Sequence, residues 1–360
     1  MKINNIHGGD IFQWARHFSC APEAVIDFSA NINPLGYSQL AIDEMVRAIP
    51  LVRHYPDPAG RQLKQVIAGQ YSVNVDQLIL GNGAAELLYL CCQAVKPETV
   101  LITGPAFSEY ERAARAAGAA VRCCILPWQD NFKFPLDEFL SKIPINGIIF
   151  LGNPNNPDGT LLSWETGREI LETAAKRHTK VIIDESFFDF LPTGLGFSFS
   201  SVVKNYPGLI ILHSLTKFYA VPGLRLGFAI TSKELVKQLE LLKDVWNVNT
   251  LAQVYGTAAL QDDSYRRKTV QFIQQEQWRF YTELQSLPQL KVYEPTVNFM
   301  LCHIQCDLTV EQLQQQLLKK KILIRNCSGY DGLDEYFFRI AVKQTNLNKL
   351  LYQILREVLQ

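Results

Sequence analysis

Three polar residues and one glycine turn in this chain follow apolar runs, and each is of a type that does chemistry. Lys217 lies in HSLTKFYAVPGLRLGF, residues 213–228, directly after the run LIIL. A lysine buried there without a partner is costly. Two roles are open to it. It is a nucleophilic amine of lowered pKa, able to form a Schiff base, or it is half of an ion pair with Asp184 or Glu185. Those two carboxylates end the strand-like run of KVIIDESFFDF. An acid so placed serves as a metal ligand, a general base or the partner of a protonated ring nitrogen. The rest of a metal shell is not apparent, so no metal is expected. Asn156 sits in FLGNPNNPDGT, a loop with two prolines and three asparagines. That loop is simply rigid, or it aims Asn156 inward at the carboxyl edge of a sheet, where open α/β sheets bind ligands. LILGNGAAELLYL reads as strand, glycine turn and helix. Gly81 and Gly83 permit a tight turn, which leaves the amides of Ala84 and Ala85 as donors suited to a phosphate. The run has neither dinucleotide spacing nor a P-loop lysine.

A sheet is needed to bring these residues together. TVLITG, AAVRCCIL, GIIFLG, KVIIDE, GLIILHS and LRLGFAI read as strands, separated by helical patterns such as AAELLYLCCQAV and SWETGREILETAAKRH. Near-continuous apolar strands imply a mostly parallel α/β sheet flanked by helices on both faces. After Ser232 the pattern becomes long helices followed by FMLCHI, ILIRN and YFFRIAV, which suggests a smaller α+β domain. The division expected is an N-terminal arm over 1–45 with little regular structure, a large domain over 46–245 and a small C-terminal domain over 246–360.

The 360 residues carry a formal net charge of +0, so no general basic field draws nucleic acid or an anionic membrane, and anions must be held locally. No apolar run is long enough to cross a bilayer, and MKINNIHGGDIF is neither a signal peptide nor an anchor. The eight cysteines lack zinc-type spacing and read as buried, reduced thiols of a cytoplasmic protein.

A phosphate turn, an asparagine loop, a strand-end aspartate and a lysine, in this order, resemble the fold-type I enzymes that use pyridoxal 5′-phosphate, the aspartate aminotransferase-like superfamily. The resemblance covers nearly the whole chain. It implies that Lys217 binds the cofactor covalently, that Asp184 keeps its pyridine nitrogen protonated and that Asn156 bonds the ring hydroxyl. Phe107, in GPAFSEY, would stack on the ring. Gly83, Ala84, Ala85, Ser214 and Arg225 would hold the cofactor phosphate. Tyr55, in RHYPDP, would reach that phosphate from the other subunit of a homodimer. Arg339, in FFRIAV, would receive a substrate carboxylate. Many relatives carry tyrosine where this chain has Phe187, which cannot donate to the ring hydroxyl.

The two ends of the chain narrow the resemblance. NNIHGGDIF, IDFSANINPLG and ILIRNCSGYDGLDEYFFRIAV look like the L-threonine-O-3-phosphate decarboxylases of cobalamin biosynthesis, relatives of the histidinol-phosphate aminotransferases. That family likeness implies decarboxylation of L-threonine O-3-phosphate to (R)-1-amino-2-propanol O-2-phosphate and CO2. Decarboxylation of phosphoserine is the variant, and histidinol-phosphate or related aminotransferase activity is the alternative. The substrate's anions would be held by His7, Gly8, Gly9, Asn31, Asn156, Arg325 and Arg339. The arginines suit this because a guanidinium is a permanently charged fork.

Overall fold

The computed structural model describes residues 8–192 and 196–359. A short strand, β1 (Ile26–Asp27), lies in the N-terminal segment. The central sheet follows it in sequence: β2 (Leu78–Asn82), β3 (Thr99–Gly104), β4 (Ala120–Ile125), β5 (Ile148–Gly152), β6 (Lys180–Asp184), β7 (Leu209–Ser214) and β8 (Leu226–Ile230). Their spatial order is β2-β8-β7-β6-β5-β3-β4. Only β8 runs antiparallel to its neighbours; the other pairings are parallel. The apolar runs are continuous because both faces are covered. Ile182 and Ile210 pack with Leu87, Leu88 and Leu235 on one side. Val181, Ile183 and Ile211 pack with Ile170, Leu171 and Phe199 on the other. Gly152 stands opposite Asp184 in register, so the loop after β5 and the carboxylate of β6 meet at one edge.

The small domain continues with β9 (Leu290–Val292), β10 (Phe299–Ile304), β11 (Ile322–Leu323), β12 (Arg325–Asn326) and β13 (Phe337–Ala341). Four of these form an antiparallel sheet in the order β12-β13-β10-β9. The 23-residue helix Asp263–Gln285 leads into it. Among the described residues no helix is long and apolar enough to cross a membrane.

Two sequence expectations differ from the structure. The arm is not irregular: it contains helix Ile11–His17, and β1 pairs in parallel with β11. The helix is short, and only tertiary contact reveals it. Asp10 caps it by accepting from Gln13 N at 3.1 Å, and Ala15 packs in a cluster with Val25 and Leu323. Helix Thr250–Leu260, placed by sequence in the C-terminal domain, packs instead on helices Gln39–Arg47 and Arg61–Tyr71. Its alanines and glycine permit that close approach, and Tyr255 Oη ties it to Tyr219 O at 2.8 Å.

Candidate active site

Lys217 stands in the one-turn helix Leu215–Phe218 that follows β7. Its Nζ lies 3.4 Å from Thr216 Oγ1, and among the described residues it forms no ion pair. Glu185 is engaged elsewhere: it accepts from Phe199 N and Ser198 Oγ, each at 2.8 Å. Of the two sequence roles for Lys217, the ion pair is therefore not made. Burial, reinforced by the Arg225 charge and opposed by Asp184, brings its pKa from 10.5 to about 8. The turn is held from behind by the arm, where Asn33 donates through N to Lys217 O at 3.1 Å and through Nδ2 to Phe218 O at 2.8 Å.

Lys217 opens into a cavity of ≈ 140 Å³. Its wall brings together Asp184 from β6, Asn156 from the loop after β5, Phe107 from the loop after β3, and Ser214 and Arg225 from either side of the lysine. Asp184 is the one carboxylate on that wall. Its Oδ1 accepts from Ser186 N and its Oδ2 from Tyr110 Oη, both at 2.9 Å. Burial raises its pKa, while these donors and Lys217 act against that rise. Asn156 Oδ1 accepts from Arg339 Nη1, which leaves the Asn156 amide free to donate into the cavity. Phe187 is on the wall too, edge-on to Phe299 at 5.0 Å.

Ala84 and Ala85 begin helix Ala84–Val95 and line the same cavity. Gly83 precedes them at φ +82, and a Cβ there would overlap the Arg225 guanidinium. A Cβ on Gly227 would lie 2.5 Å from Ala84 N. The two glycines thus keep open a cradle of helix amides, Arg225 and the hydroxyls of Ser214 and Thr216, which are 2.8 Å apart. A donor-rich cradle, a carboxylate for a protonated ring nitrogen, an aromatic face and a buried amine on one wall fit pyridoxal 5′-phosphate.

The anion-binding candidates separate from this group. Arg339 is 5% exposed and donates through Nη2 to Ser29 O at 2.7 Å. Its guanidinium lies over Phe299 at 5.4 Å. Burial lowers its pKa from the usual arginine value, with Arg325 adding to the effect. Arg325 is its register partner across β12 and β13. Arg325 also lines a second, smaller pocket with Gly8, Gly9, Ser29 and Asn326. Gly9 N donates to Ser29 Oγ at 2.9 Å. Asn31 is buried, and its Oδ1 has no hydrogen-bond partner among the described residues. His7 lies outside the described residues. Tyr55 is outside both pockets, 77% exposed and stacked on Trp246 at 4.2 Å. Tyr110, Ser186 and Thr216 belong to the site although their sequence positions do not announce it. Only the spacing of Tyr110, three residues after Phe107, hints at it: Phe107 stands in the loop just before the helix, and Tyr110 N donates to its carbonyl at 3.1 Å.

The threonine-phosphate decarboxylase of Salmonella typhimurium is 35% identical over 99% of this chain and 97% of its own length. Among solved structures, the histidinol-phosphate aminotransferase of Clostridium acetobutylicum is 33% identical, with a TM-score of 0.86 over 93% of this chain and 99% of that one. The L-threonine-O-3-phosphate decarboxylase of Porphyromonas gingivalis is 27% identical, with a TM-score of 0.81 over 93% and 99% of the respective chains. Residues 23–354 match the family model for aminotransferase class I and II, and the chain belongs to that family.

Proposed function

We propose that this protein is a pyridoxal 5′-phosphate-dependent decarboxylase of L-threonine O-3-phosphate. Its products would be (R)-1-amino-2-propanol O-2-phosphate and CO2, in cobalamin biosynthesis. The observation that carries this reading is the pair Arg325 and Arg339, 9% and 5% exposed, side by side between the cofactor cavity and the arm. Two buried guanidiniums suit a substrate with two anionic groups, a carboxylate and a phosphate.

Lys217 would anchor the cofactor through its amine, with Ala84, Ala85, Ser214 and Arg225 on the phosphate and Phe107 over the ring. Pyridoxal phosphate, when bound, supplies an electron sink for a bond broken at the substrate Cα. Asp184 holds the proton on the ring nitrogen and so keeps that sink strong. Asn156 donates to the ring hydroxyl while Arg339 fixes its other end. Arg325 would hold the substrate phosphate at the pocket it lines with Gly8, Gly9 and Ser29, and Arg339 would hold the carboxylate. By placing the substrate's two anions, Arg325 and Arg339 would decide which bond at Cα is presented for cleavage. With Asp184 committed to the ring nitrogen and Tyr110 kept protonated by burial, Lys217 or a water would carry protons within the cavity.

A homodimer completes the reading. Exposed Leu51, Val52, Tyr55, Val245 and Trp246 offer an apolar surface, and Tyr55 would face the other subunit's phosphate cradle. Eight free cysteines fit a reducing, cytoplasmic setting.

The aminotransferase reading is favoured by the likeness to the Clostridium acetobutylicum enzyme. Incubation with phosphothreonine and no keto acid separates the two. Stoichiometric CO2 with the cofactor unchanged is expected. Conversion of the cofactor to pyridoxamine phosphate without CO2 would defeat the proposal. Phosphoserine in the same assay tests the variant, since one methyl group changes discrimination by only about 10- to 200-fold.

A further inference from the structure

Asp184 has a partner that the proposed reaction has not yet used. Tyr110 lies in the first turn of helix Glu109–Ala116 and is 2% exposed. Its ring is stacked on Phe150 at 5.3 Å with an interplanar angle of 12°, and it meets Phe107 edge-on at 5.7 Å. This packing aims the hydroxyl at Asp184 Oδ2, 2.9 Å away, while Oδ1 is taken by Ser186 N. One side chain therefore touches both the carboxylate meant for the ring nitrogen and the aromatic ring meant for the cofactor face.

We infer that Tyr110 is a positioning residue whose hydroxyl, donating to Asp184, keeps the shared proton on the cofactor's ring nitrogen rather than on the carboxyl. The inference rests on the pyridoxal phosphate reading of the cavity. Its physics is a competition for one proton in a dry site. A buried carboxylate is stable as an anion only where donors replace lost water. With Tyr110 and Ser186 both donating, the anion is supported and the pyridinium has a counter-ion. Without the hydroxyl one oxygen loses its donor, and the neutral arrangement, with a protonated carboxyl against an unprotonated ring nitrogen, gains. A hydrogen bond to a charged group is worth enough to move such a partition by about 10- to 100-fold. The pKa of Tyr110 itself is pushed well above the usual tyrosine value by burial and by Asp184, so the hydroxyl remains a donor across the working range.

The test uses holoenzyme loaded with pyridoxal phosphate labelled with ¹⁵N in the ring. Tyr110→Phe keeps the ring between Phe150 and Phe107 and removes only the hydroxyl. Its ring-nitrogen resonance is expected to move from the pyridinium range toward neutral pyridine, with kcat falling more than KM rises. Phe150→Leu loosens the stack but keeps the hydroxyl; it should lower the melting temperature and leave the resonance in the pyridinium range. In an Asp184→Asn background, Tyr110→Phe should have no further effect on the resonance. An unchanged resonance in Tyr110→Phe would overturn the inference alone. So would an equal displacement in Phe150→Leu, since that would make Tyr110 a packing residue. Wild-type protein that takes up no cofactor would overturn the cofactor reading, and this inference with it.

Discussion

The low pKa of Lys217 is the quantity on which cofactor capture most depends. Its fall from 10.5 to about 8 corresponds to ~3 kcal/mol in favour of the neutral amine. At about pH 7.5 the free amine would be about a quarter of the population, against about one in a thousand for an ordinary lysine. Burial is the largest cause, the Arg225 charge the next, and Asp184 opposes both. The assay is the rate at which apoenzyme captures pyridoxal lacking the phosphate, followed by absorbance across pH, with borohydride trapping to locate the modified lysine. Omitting the phosphate keeps the role of Arg225 in anion binding out of the measurement. The rate should rise with pH through a midpoint near 8. Arg225→Gln removes a neighbouring cation and should move the midpoint up. Asp184→Asn removes the opposing anion and should move it down. Lys217→Ala should capture nothing. A wild-type midpoint near 10.5, or one that Arg225→Gln leaves in place, would refute the reasoning.

Three further outcomes are expected. Gly83→Ala puts a Cβ into the Arg225 guanidinium at φ +82, so apoenzyme titration should show at least about tenfold weaker pyridoxal phosphate binding, with the melting temperature lowered by the strained backbone. Arg325→Ala should raise the KM for phosphothreonine by about 10- to 100-fold and leave cofactor affinity unchanged, with Arg325→Lys in between. Phe187→Tyr places a donor on the cavity wall and should shift the midpoint of the holoenzyme's spectral pH titration; an unmoved midpoint would remove Phe187 from the account.

The sheet and the cofactor wall are legible in the sequence for one physical reason. Strands covered on both faces must be apolar throughout, so a lysine, an aspartate or an asparagine at their ends stands out. Lys217, Asp184, Asn156 and the Gly83 turn are found that way, and the fold brings them to one cavity. Contacts between distant residues are not legible. Nothing near residue 156 shows that Arg339, 183 positions away, would occupy its Oδ1. Nor does GPAFSEY show that the Tyr110 hydroxyl ends on Asp184, 74 positions on. The helix at Ile11–His17 was hidden because so short a segment is stable only against Val25 and Leu323, neither of which marks it locally.

The central claim is that the bond broken at Cα is the one to the carboxylate. Phosphothreonine carrying deuterium at Cα tests it most directly, with the holoenzyme in ordinary water and the product analysed by mass spectrometry. Retention of the deuterium in aminopropanol phosphate, with one mole of CO2 released per mole of product, is the predicted result. Loss of the deuterium to solvent with no CO2 released would contradict it, because the Cα–H bond would then be the one this site breaks.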